Sequence, residues 1–409
     1  MRVVILTQWF EPEPTFKGLK FAKSLLELGH TVEVVTGFPN YPGGKLYEGY
    51  HIKLCLQEEM EKVKVTRLPL FPSHDSSSIR RSLNYLSFFV STFIYMTFFM
   101  KKADVIYAYH PPITVGLAAV LIKKLRKTPV TLDVQDLWPD TLVATGMVKS
   151  RLLLSLVGLI CSFTFSIADM VVVQSNGFKE AMIKRGIPAN KVKVVLNWHD
   201  EEAHASGHVH TYEKKSSNDK QFVVMYAGNL GKAQSLTTVL DAAKILKSTS
   251  EKIKFVFVGS GLEQQNLIDR ARLLNLDNIE FLQRVPINEI GKMIEKADAL
   301  LIHLRKDKLF EITIPSKTQA YMLSSKPILM GVEGDAAHIV SKAKCGVLFE
   351  PENARALADA AKSLSCLEQN TLNAMGLAGL NYYKKNMGMK AGVLKFSKIF
   401  QSIASQKNQ

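Results

Sequence analysis

The sequence has few cysteines and no cysteine spacing typical of a bound metal. Its four cysteines, at positions 55, 161, 345 and 366, form no C-x-x-C pair, so neither a disulfide framework nor a cysteine zinc site is expected. The strict pattern Asp-x-Asp is also missing, which argues against a diphosphate bridged by a metal ion. The first apolar run, Val3–Leu6, is too short for the core of a secretory signal. We therefore expect a cytoplasmic protein that needs neither a metal nor another cofactor.

Composition indicates a folded, basic protein. The 409 residues exceed the size of a single core, and 47% of them are apolar and 22% charged, so we expect two packed domains. Lysine and arginine outnumber aspartate and glutamate by 52 to 37, which favours anionic partners such as nucleic acid, acidic lipid or phosphorylated small molecules. The excess charge is spread evenly and no recognition module is present, so nucleic acid is the least favoured of these.

Short β-branched runs alternate with helix-length amphipathic segments along the chain. Runs that are apolar at nearly every position are typical of strands covered by helices on both faces. The predicted fold is α/β, with two Rossmann-like, doubly wound domains that face a cleft. The predicted strands are Val3–Thr7, Thr31–Thr36, Asp104–Tyr109, Pro129–Asp133, Met170–Gln174 and Val192–Asn197, followed by Phe222–Ala227, Lys254–Val258, Asn278–Leu282, Ala299–His303, Pro327–Met330 and Gly346–Phe349.

Residues 201–220 are polar and lack apolar periodicity, so they are predicted to be a linker. Residues 1–200 then form the first domain and 221–380 the second, with 381–409 crossing back to the first. Four histidines fall in or beside the linker, and a solvated segment explains them better than a metal cluster, because carboxylate and thiolate partners are lacking. They are His199, His204, His208 and His210.

Two segments are unusually apolar. Residues 83–100 contain no charge and are flanked by Arg80, Arg81, Lys101 and Lys102. A spanning helix there would disrupt the sheet, so the alternatives are a buried crossover helix and a helix on an anionic membrane surface. For the second segment, Leu152–Ile167, the buried alternative is favoured.

Two glycine loops mark the second domain. Gly259 and Gly261 follow a predicted strand and open a helix, where backbone amides can approach a phosphate. The full G-x-G-x-x-G pattern is missing, and a tight turn without a ligand explains one such loop equally well. A second loop, with Gly228, Gly231 and Lys232, follows another strand and is expected at the same edge of the sheet.

A carboxylate and a helix start come later in the second domain. Glu311 follows the strand Ala299–His303, and Ser316 after Pro315 is predicted to cap a helix running from Lys317. Glu311 could accept hydrogen bonds from sugar hydroxyls or act as an ordinary surface charge.

In the first domain, polar residues end two strands. His110 precedes two prolines, which fixes it at a strand end, where doubly wound folds bind ligands. Asp133, Asp136 and Asp140 surround Trp138 after the next strand. General-base chemistry and helix capping are equally compatible with these carboxylates, and Asp136 is our candidate for a substrate-binding residue in this domain.

Several long strings resemble glycosyltransferase family 4, retaining enzymes with the two-domain GT-B fold. The strings are GFPNYPGGKLYEGY, VQDLWPD, VVVQSNGFKEAMIKRGIPANKVKVVLNWHD, YAGNLGKAQSL and IPSKTQAYMLSSKPIL. Within the family they look like the branch that builds bacterial surface polysaccharides, and most like WbuB-like N-acetyl-L-fucosamine transferases, which act on undecaprenyl-linked acceptors.

The resemblance implies roles for individual residues. Members carry a glutamate, seven residues and a second glutamate, which bind the donor sugar and the ribose; the first is Glu311, but Gln319 stands at the second position. The family's strand-end histidine corresponds to His110, and its amino-terminal glycine loop is represented only by Gly18.

The donor diphosphate is implied to bind at the glycine loops. Asn229 stands where the family has an arginine, so Lys232 and Arg284 are the substitute cations. The full set of implied donor-binding residues is Gly228, Asn229, Gly231, Gly259, Gly261, Arg284, Pro315, Ser316, Lys317 and Gln319, with His110, Glu311 and Lys232 as the catalytic set.

The resulting expectation is a retaining, metal-independent transferase on the inner face of the plasma membrane. It would move a sugar from a UDP-sugar to an undecaprenyl-diphosphate-linked saccharide in O-antigen or capsule synthesis. A nucleotide-sugar 2-epimerase of the same fold is the alternative; it would turn over the donor without an acceptor.

Overall fold

The chain divides into two units, each built on a parallel sheet. Unit 1 comprises Met1–Val195 and Gly392–Gln409, and unit 2 comprises Leu196–Ala391. The computed structural model describes residues 1–73, 78–144, 148, 150–201, 221–249, 252–286 and 289–406. Apart from Glu201, the predicted linker lies outside these residues.

The sheet of unit 1 has eight strands in the order β3-β4-β2-β1-β5-β6-β7-β8. Seven of them run parallel, and β3 pairs antiparallel with β4 at the edge. The strands are β1 Arg2–Leu6, β2 Thr31–Gly37, β3 Leu56–Met60, β4 Val63–Leu68, β5 Val105–His110, β6 Val130–Val134, β7 Met170–Val173 and β8 Val192–Val194. The six strands predicted for this domain are present, whereas β3 and β4 were missed, because the sequence LQEEM of β3 reads as a polar loop.

Among the described residues of unit 1, six α-helices connect these strands, and a seventh follows unit 2 in the chain. They are α1 Leu19–Glu27, α2 Ser78–Phe98, α3 Ile113–Arg126, α4 Asp140–Ala144, α5 Arg151–Ile167 and α6 Asn176–Lys184, with the terminal helix Met389–Ser405. None of the helices in the described ranges is long and apolar enough to cross a membrane.

The terminal helix completes the core of unit 1. Phe396 and Phe400 are fully buried. The Phe396 ring lies 5.4 Å from the ring of Phe21 and 5.5 Å from that of Tyr107. The Ser397 hydroxyl lies 2.8 Å from Nε2 of His30. This helix, which follows unit 2 in the chain, is therefore part of the hydrophobic core of unit 1.

The sheet of unit 2 has six parallel strands in the order β11-β10-β9-β12-β13-β14. This is the Rossmann order 3-2-1-4-5-6, as the sequence predicts. The strands are β9 Phe222–Ala227, β10 Ile253–Val258, β11 Ile279–Leu282, β12 Ala299–His303, β13 Ile328–Gly331 and β14 Gly346–Leu348.

Helices cover both faces of this second sheet. They are α7 Thr237–Ser248, α8 Gln264–Leu273, α9 Ile290–Glu295, α10 Lys308–Glu311, α11 Ser316–Leu323, α12 Asp335–Ala343, α13 Ala354–Ser365 and α14 Gln369–Asn386, so that Met389–Ser405 is α15. The strand order reverses between β9 and β12, and Rossmann folds bind ligands at the carboxyl ends of the strands beside such a reversal.

Candidate functional site

A cavity of about 550 Å³ lies at the carboxyl ends of the unit 2 strands. Its wall combines the loops after β9, β10 and β11 with residues of α9 and α11. The lining residues are His199, Ala227, Gly228, Asn229, Val258, Gly259, Ser260, Gly261, Arg284, Val285, Ile290, Ile294, Ser316, Lys317, Ala320 and Tyr321.

The two glycine loops form one continuous floor. The Gly228 amide donates to the Val258 carbonyl at 2.9 Å, and the Leu230 amide donates to the Ser260 carbonyl at 2.9 Å. A Cβ at Gly259 would lie 1.9 Å from the Gly228 carbonyl oxygen. Gly228 and Gly259 also have φ of +146° and +151°, values that L side chains rarely adopt. Only glycine fits at these contacts, so the backbone of both loops stays open to the cavity.

Lys317 reaches over this floor from the first turn of α11. Its Nζ would lie 2.8 Å from a Cβ placed on Gly228 and is 4.9 Å from the centre of the Tyr226 ring. Burial lowers the pKa of the Lys317 amine to about 8. Within the described ranges no carboxylate forms an ion pair with it. The cavity thus contains a cation whose charge no side chain of the described protein neutralises.

Two tyrosines hold the loop after β9 in place. The Tyr321 hydroxyl accepts from the Ala227 amide at 2.8 Å and donates to the Ala227 carbonyl at 3.2 Å. The Tyr226 hydroxyl donates to the Asn229 carbonyl at 2.7 Å. Neither tyrosine is predicted as a site residue from the sequence, because each lies in an element predicted only as framework. An aromatic residue in the first turns of α11 is the signal that could have identified Tyr321.

His199 is a cavity residue that the sequence predicted only as part of the linker. It lines the cavity, and its backbone amide donates to the Tyr383 hydroxyl at 3.0 Å. Burial lowers the pKa of its imidazole. The interpretation of His199 as a solvated linker residue was therefore wrong. His204, His208 and His210 lie outside the described residues.

Of the predicted donor-binding residues, seven line the cavity: Gly228, Asn229, Gly259, Gly261, Arg284, Ser316 and Lys317. Gly231, Pro315 and Gln319 are not part of the wall, although Pro315 and Gln319 are next to the lining residues Ser316 and Ala320 in the chain and Gly231 is two residues after Asn229. Gln319 is buried, and its amide nitrogen donates to the carbonyls of Pro315 at 2.8 Å and Ser316 at 3.1 Å. Its amide thus bonds to the start of its own helix.

Lys232 and Glu311 also lie outside the lining residues. Lys232 is exposed on a short 3-10 turn, Lys232–Gln234. Glu311 is exposed at the end of α10, a short helix where a loop was expected. Its carbonyl oxygen packs against Gly334, where a Cβ would approach to 1.9 Å. The predicted cap was wrong, because α11 already begins at Ser316 and no side chain caps it.

The unit 1 candidates occupy different environments. His110 ends β5 at the strand-order reversal between β1 and β5 and is fully buried between the rings of Trp138 and Phe165, at 5.5 and 6.1 Å. Neither ring nitrogen has a hydrogen-bond partner among the described residues. Burial lowers the pKa of His110 to about 3, so the imidazole is neutral at physiological pH.

The start of α1 is already occupied by an acid. Gly18 precedes this helix, and the Glu11 carboxylate accepts from the Leu19 amide at 2.9 Å. A Cβ at Gly18 would collide with that carboxylate, 2.3 Å from Oε1. Because a carboxylate is bound there, this helix start does not present a free anion site.

The three aspartates in and after β6 do not form a carboxylate cluster. Asp133 is fully buried in an ion pair with Lys17 and accepts from the Tyr107 hydroxyl at 2.5 Å. Asp140 pairs with Arg185 at 2.7 Å. Asp136 is partly buried, and burial raises the pKa of its carboxyl. Asp133 and Asp140 thus have structural partners, which leaves Asp136 as the candidate for chemistry.

The chain is similar in sequence to known glycosyltransferases. Residues 19–198 match the family described as glycosyl transferase 4-like domain, and residues 210–379 match glycosyl transferases group 1. A putative colanic acid biosynthesis glycosyl transferase, WcaI of Escherichia coli K12, is 26% identical over 331 residues, which are 78% of this chain and 80% of that protein. A probable glycosyltransferase, WbjE of Pseudomonas aeruginosa, is 24% identical over 284 residues, 67% of this chain and 69% of that protein.

Solved structures with the same fold cover almost the whole chain. Sucrose-phosphate synthase of Thermosynechococcus elongatus superposes with a TM-score of 0.71 at 14% identity and covers 99% of each chain. HepE of Anabaena, solved in complex with UDP and glucose, superposes with a TM-score of 0.63 at 16% identity over 98% of this chain and 99% of that one.

Proposed function

The chain is a glycosyltransferase with the GT-B fold, and on this premise we propose that it binds a UDP-sugar in the unit 2 cavity and transfers the sugar, with retention, to a lipid-linked saccharide. Support for the donor comes from the cavity and from HepE, whose structure holds UDP and glucose. Support for a role in surface polysaccharide synthesis comes from WcaI, a relative named for colanic acid biosynthesis. N-acetyl-L-fucosamine remains our proposal for the sugar, based on the sequence resemblance.

The position of Lys317 is the main observation that supports binding of a nucleotide diphosphate. A nucleotide diphosphate is an anion that needs positive charge and backbone donors. Lys317 lies over the open glycine floor, and Arg284 lines the same cavity. Bringing phosphate oxygens to the Lys317 amine favours its protonated form and raises its pKa from the value of about 8 that burial alone produces.

The apolar part of the cavity wall is suited to binding a nucleobase. Val285, Ile290 and Ile294 line the cavity beside Arg284. We place the uracil against these side chains and the diphosphate over Gly228, Gly259 and Gly261, because apolar contact favours the ring and open backbone favours the phosphates.

The chemistry then depends on the departing diphosphate. The bond between the anomeric carbon and the phosphate oxygen breaks with its electron pair going to the diphosphate, while an acceptor hydroxyl oxygen forms the new glycosidic bond and passes its proton to the departing diphosphate. Fixed positive charge from Lys317 and Arg284 stabilises the leaving group as its charge develops. Glu311 remains our proposed partner of the sugar hydroxyls, and we propose that the reaction needs no metal.

Measuring UDP affinity by titration calorimetry tests the proposal. Lys317→Met should weaken UDP binding by about tenfold to a hundredfold, the value of a charge-assisted bond of about 1.5–3 kcal/mol. Lys342→Met, an exposed lysine on α12, is the control and should leave the affinity within about twofold. Lys232→Met compares Lys317 with Lys232, the cation that the sequence predicted for the diphosphate. If the loss occurs at Lys232 and not at Lys317, the diphosphate does not bind where we place it.

A further inference from the structure

Helix α2 leaves one apolar face uncovered. Its inward face packs on unit 1 through buried residues spaced four apart, Asn84, Phe88, Thr92 and Met96. The outward residues recur at the same helical spacing and end at Phe98, which is 73% exposed. The exposed residues are Ile79, Leu83, Leu86, Val90, Ile94 and Phe98.

Helix α5 repeats this pattern, although the sequence favoured a buried helix. Cys161, Thr164 and Phe165 are its buried side chains. Leu152 is 84% exposed and Leu159 is 67% exposed, and with Leu156 and Phe163 they form one stripe. The expectation of a fully buried crossover was wrong, because α5 covers the sheet with only part of its surface.

The two stripes lie on the same side of unit 1. The connections from β4 to β5, from β5 to β6 and from β6 to β7 all move in one direction along a parallel sheet. Right-handed crossovers in one direction place their helices on one face. Helix α3 packs against both α2 and α5, and its own Leu125 is exposed. We call the exposed apolar residues of α2 and α5 together with Leu125 the helical apolar surface.

An apolar groove adjoins this surface. It has a volume of about 560 Å³ and is lined mainly by apolar residues of α2 and of the segment after β4. Leu83, Leu86, Val90 and Ile94 belong both to its wall and to the helical apolar surface. The uncovered apolar area is therefore larger than the helix stripes alone.

The charged side chains of the three helices are all cationic. Helices α2, α3 and α5 contain no aspartate or glutamate. Their cations are Arg80, Arg81, Lys123, Lys124, Arg126 and Arg151. Lys123 pairs with Asp169 outside these helices. The Lys124 Nζ lies 4.8 Å from the centre of the Phe163 ring, beside the stripe of α5.

This combination of charge and apolar area favours one occupant. A second copy of the chain, docked through the same face, would bring two cationic surfaces together, which is electrostatically unfavourable. An anionic bilayer offers phosphate groups for the cations and an apolar boundary for the leucines.

We propose that the helical apolar surface docks unit 1 on an anionic lipid bilayer. The exposed leucines of α2 and α5 enter the boundary between headgroups and acyl chains, and the cations of the three helices contact lipid phosphates. The chain lies on the bilayer and does not cross it. The proposal concerns unit 1 alone and does not depend on which donor unit 2 binds.

Vesicle co-sedimentation of the full chain tests this docking. Wild type should bind phosphatidylglycerol-containing vesicles and bind pure phosphatidylcholine vesicles more weakly, and high salt should reduce the difference. The double variant Leu152→Asp and Leu159→Asp should lower partitioning by about tenfold or more, because each change removes a leucine from the boundary. The control is Leu273→Asp, a site on α8 of unit 2 that is 82% exposed, and it should change partitioning by less than about twofold.

A charge variant separates the two contributions. Arg81→Gln with Lys124→Gln should weaken binding to anionic vesicles and leave binding to neutral vesicles unchanged. Thermal unfolding of all variants checks that the exposed substitutions leave the fold intact. Unchanged vesicle binding in the double leucine variant overturns the proposal. So does a dimer in sedimentation velocity that the same variant dissociates, since the surface would then join two copies of the chain.

Discussion

Protonation of His110 should limit the acid stability of unit 1. The imidazole is fully buried between Trp138 and Phe165, and its pKa in the folded protein is about 3 against an ordinary value of 6.5. The unfolded chain therefore takes up a proton near pH 6.5 that the folded chain resists. The contribution of the neutral ring to the free energy of unfolding is therefore fully present above pH 6.5 and decreases as the pH falls from 6.5 towards 3.

The size of the effect follows from this shift. At pH 5 the loss is about 2 kcal/mol, and it approaches about 5 kcal/mol near pH 3, taking about 1.36 kcal/mol per pH unit below 6.5. His110→Phe keeps an aromatic ring between Trp138 and Phe165 and removes the titration, so its stability should lose this pH dependence.

Hydrogen exchange resolved by peptide is the appropriate assay, because it reports the opening of β5 apart from that of other regions. In wild type, peptides containing β5 should exchange about thirtyfold faster at pH 5 than at pH 7, once the rates are corrected for intrinsic exchange. Peptides containing β9 serve as an internal reference, and the exposed His338→Gln variant is the matched control. If His110→Phe and wild type show equal pH dependence in β5, the ring does not titrate as we infer.

Three further changes test other parts of the structure. Gly259→Ala forces a Cβ to within 1.9 Å of the Gly228 carbonyl and should destabilise unit 2 by about 2 kcal/mol or more in urea unfolding; an unchanged midpoint would mean that the two loops are not packed as described. Asp133→Asn leaves Lys17 charged in a buried site and should lower the free energy of unfolding by about 3–5 kcal/mol. Asp140→Asn, at an exposed ion pair, should lower it by less than about 1 kcal/mol. Equal losses in the two variants would contradict this difference between a buried and an exposed pair. Glu311→Ala should abolish transfer while UDP still binds, and a chelator should leave wild-type transfer unchanged; weakened UDP binding in the variant or inhibition by the chelator would contradict these assignments.

Local patterns predicted the framework of the site well. Twelve strands and both glycine loops could be inferred because uninterrupted apolar runs and glycine after a strand are short-range signals. The structure joins the loops through Gly228 and Gly259, whose strands, β9 and β10, are neighbours in the sheet.

Which side chains line the cavity could not be predicted from such local patterns. Lys232 and Lys317 are both lysines near a glycine loop, and only the path of α11 brings Lys317 over Gly228. Tyr321 and His199 also depend on contacts between distant segments. Which side of α5 stays exposed depends on how α3 packs beside it. The apolar sequence Leu152–Ile167 does not predict that packing.

The return of the chain to unit 1 at Gly392 has a consequence for biosynthesis. While a ribosome is still making unit 2, the places of Phe396 and Phe400 against Phe21 and Tyr107 are empty, so the nascent first unit lacks part of its interior. It can complete its packing only when the final helix leaves the exit tunnel. A premature stop that spares every residue of the unit 2 cavity would therefore damage the half of the protein that was synthesised first.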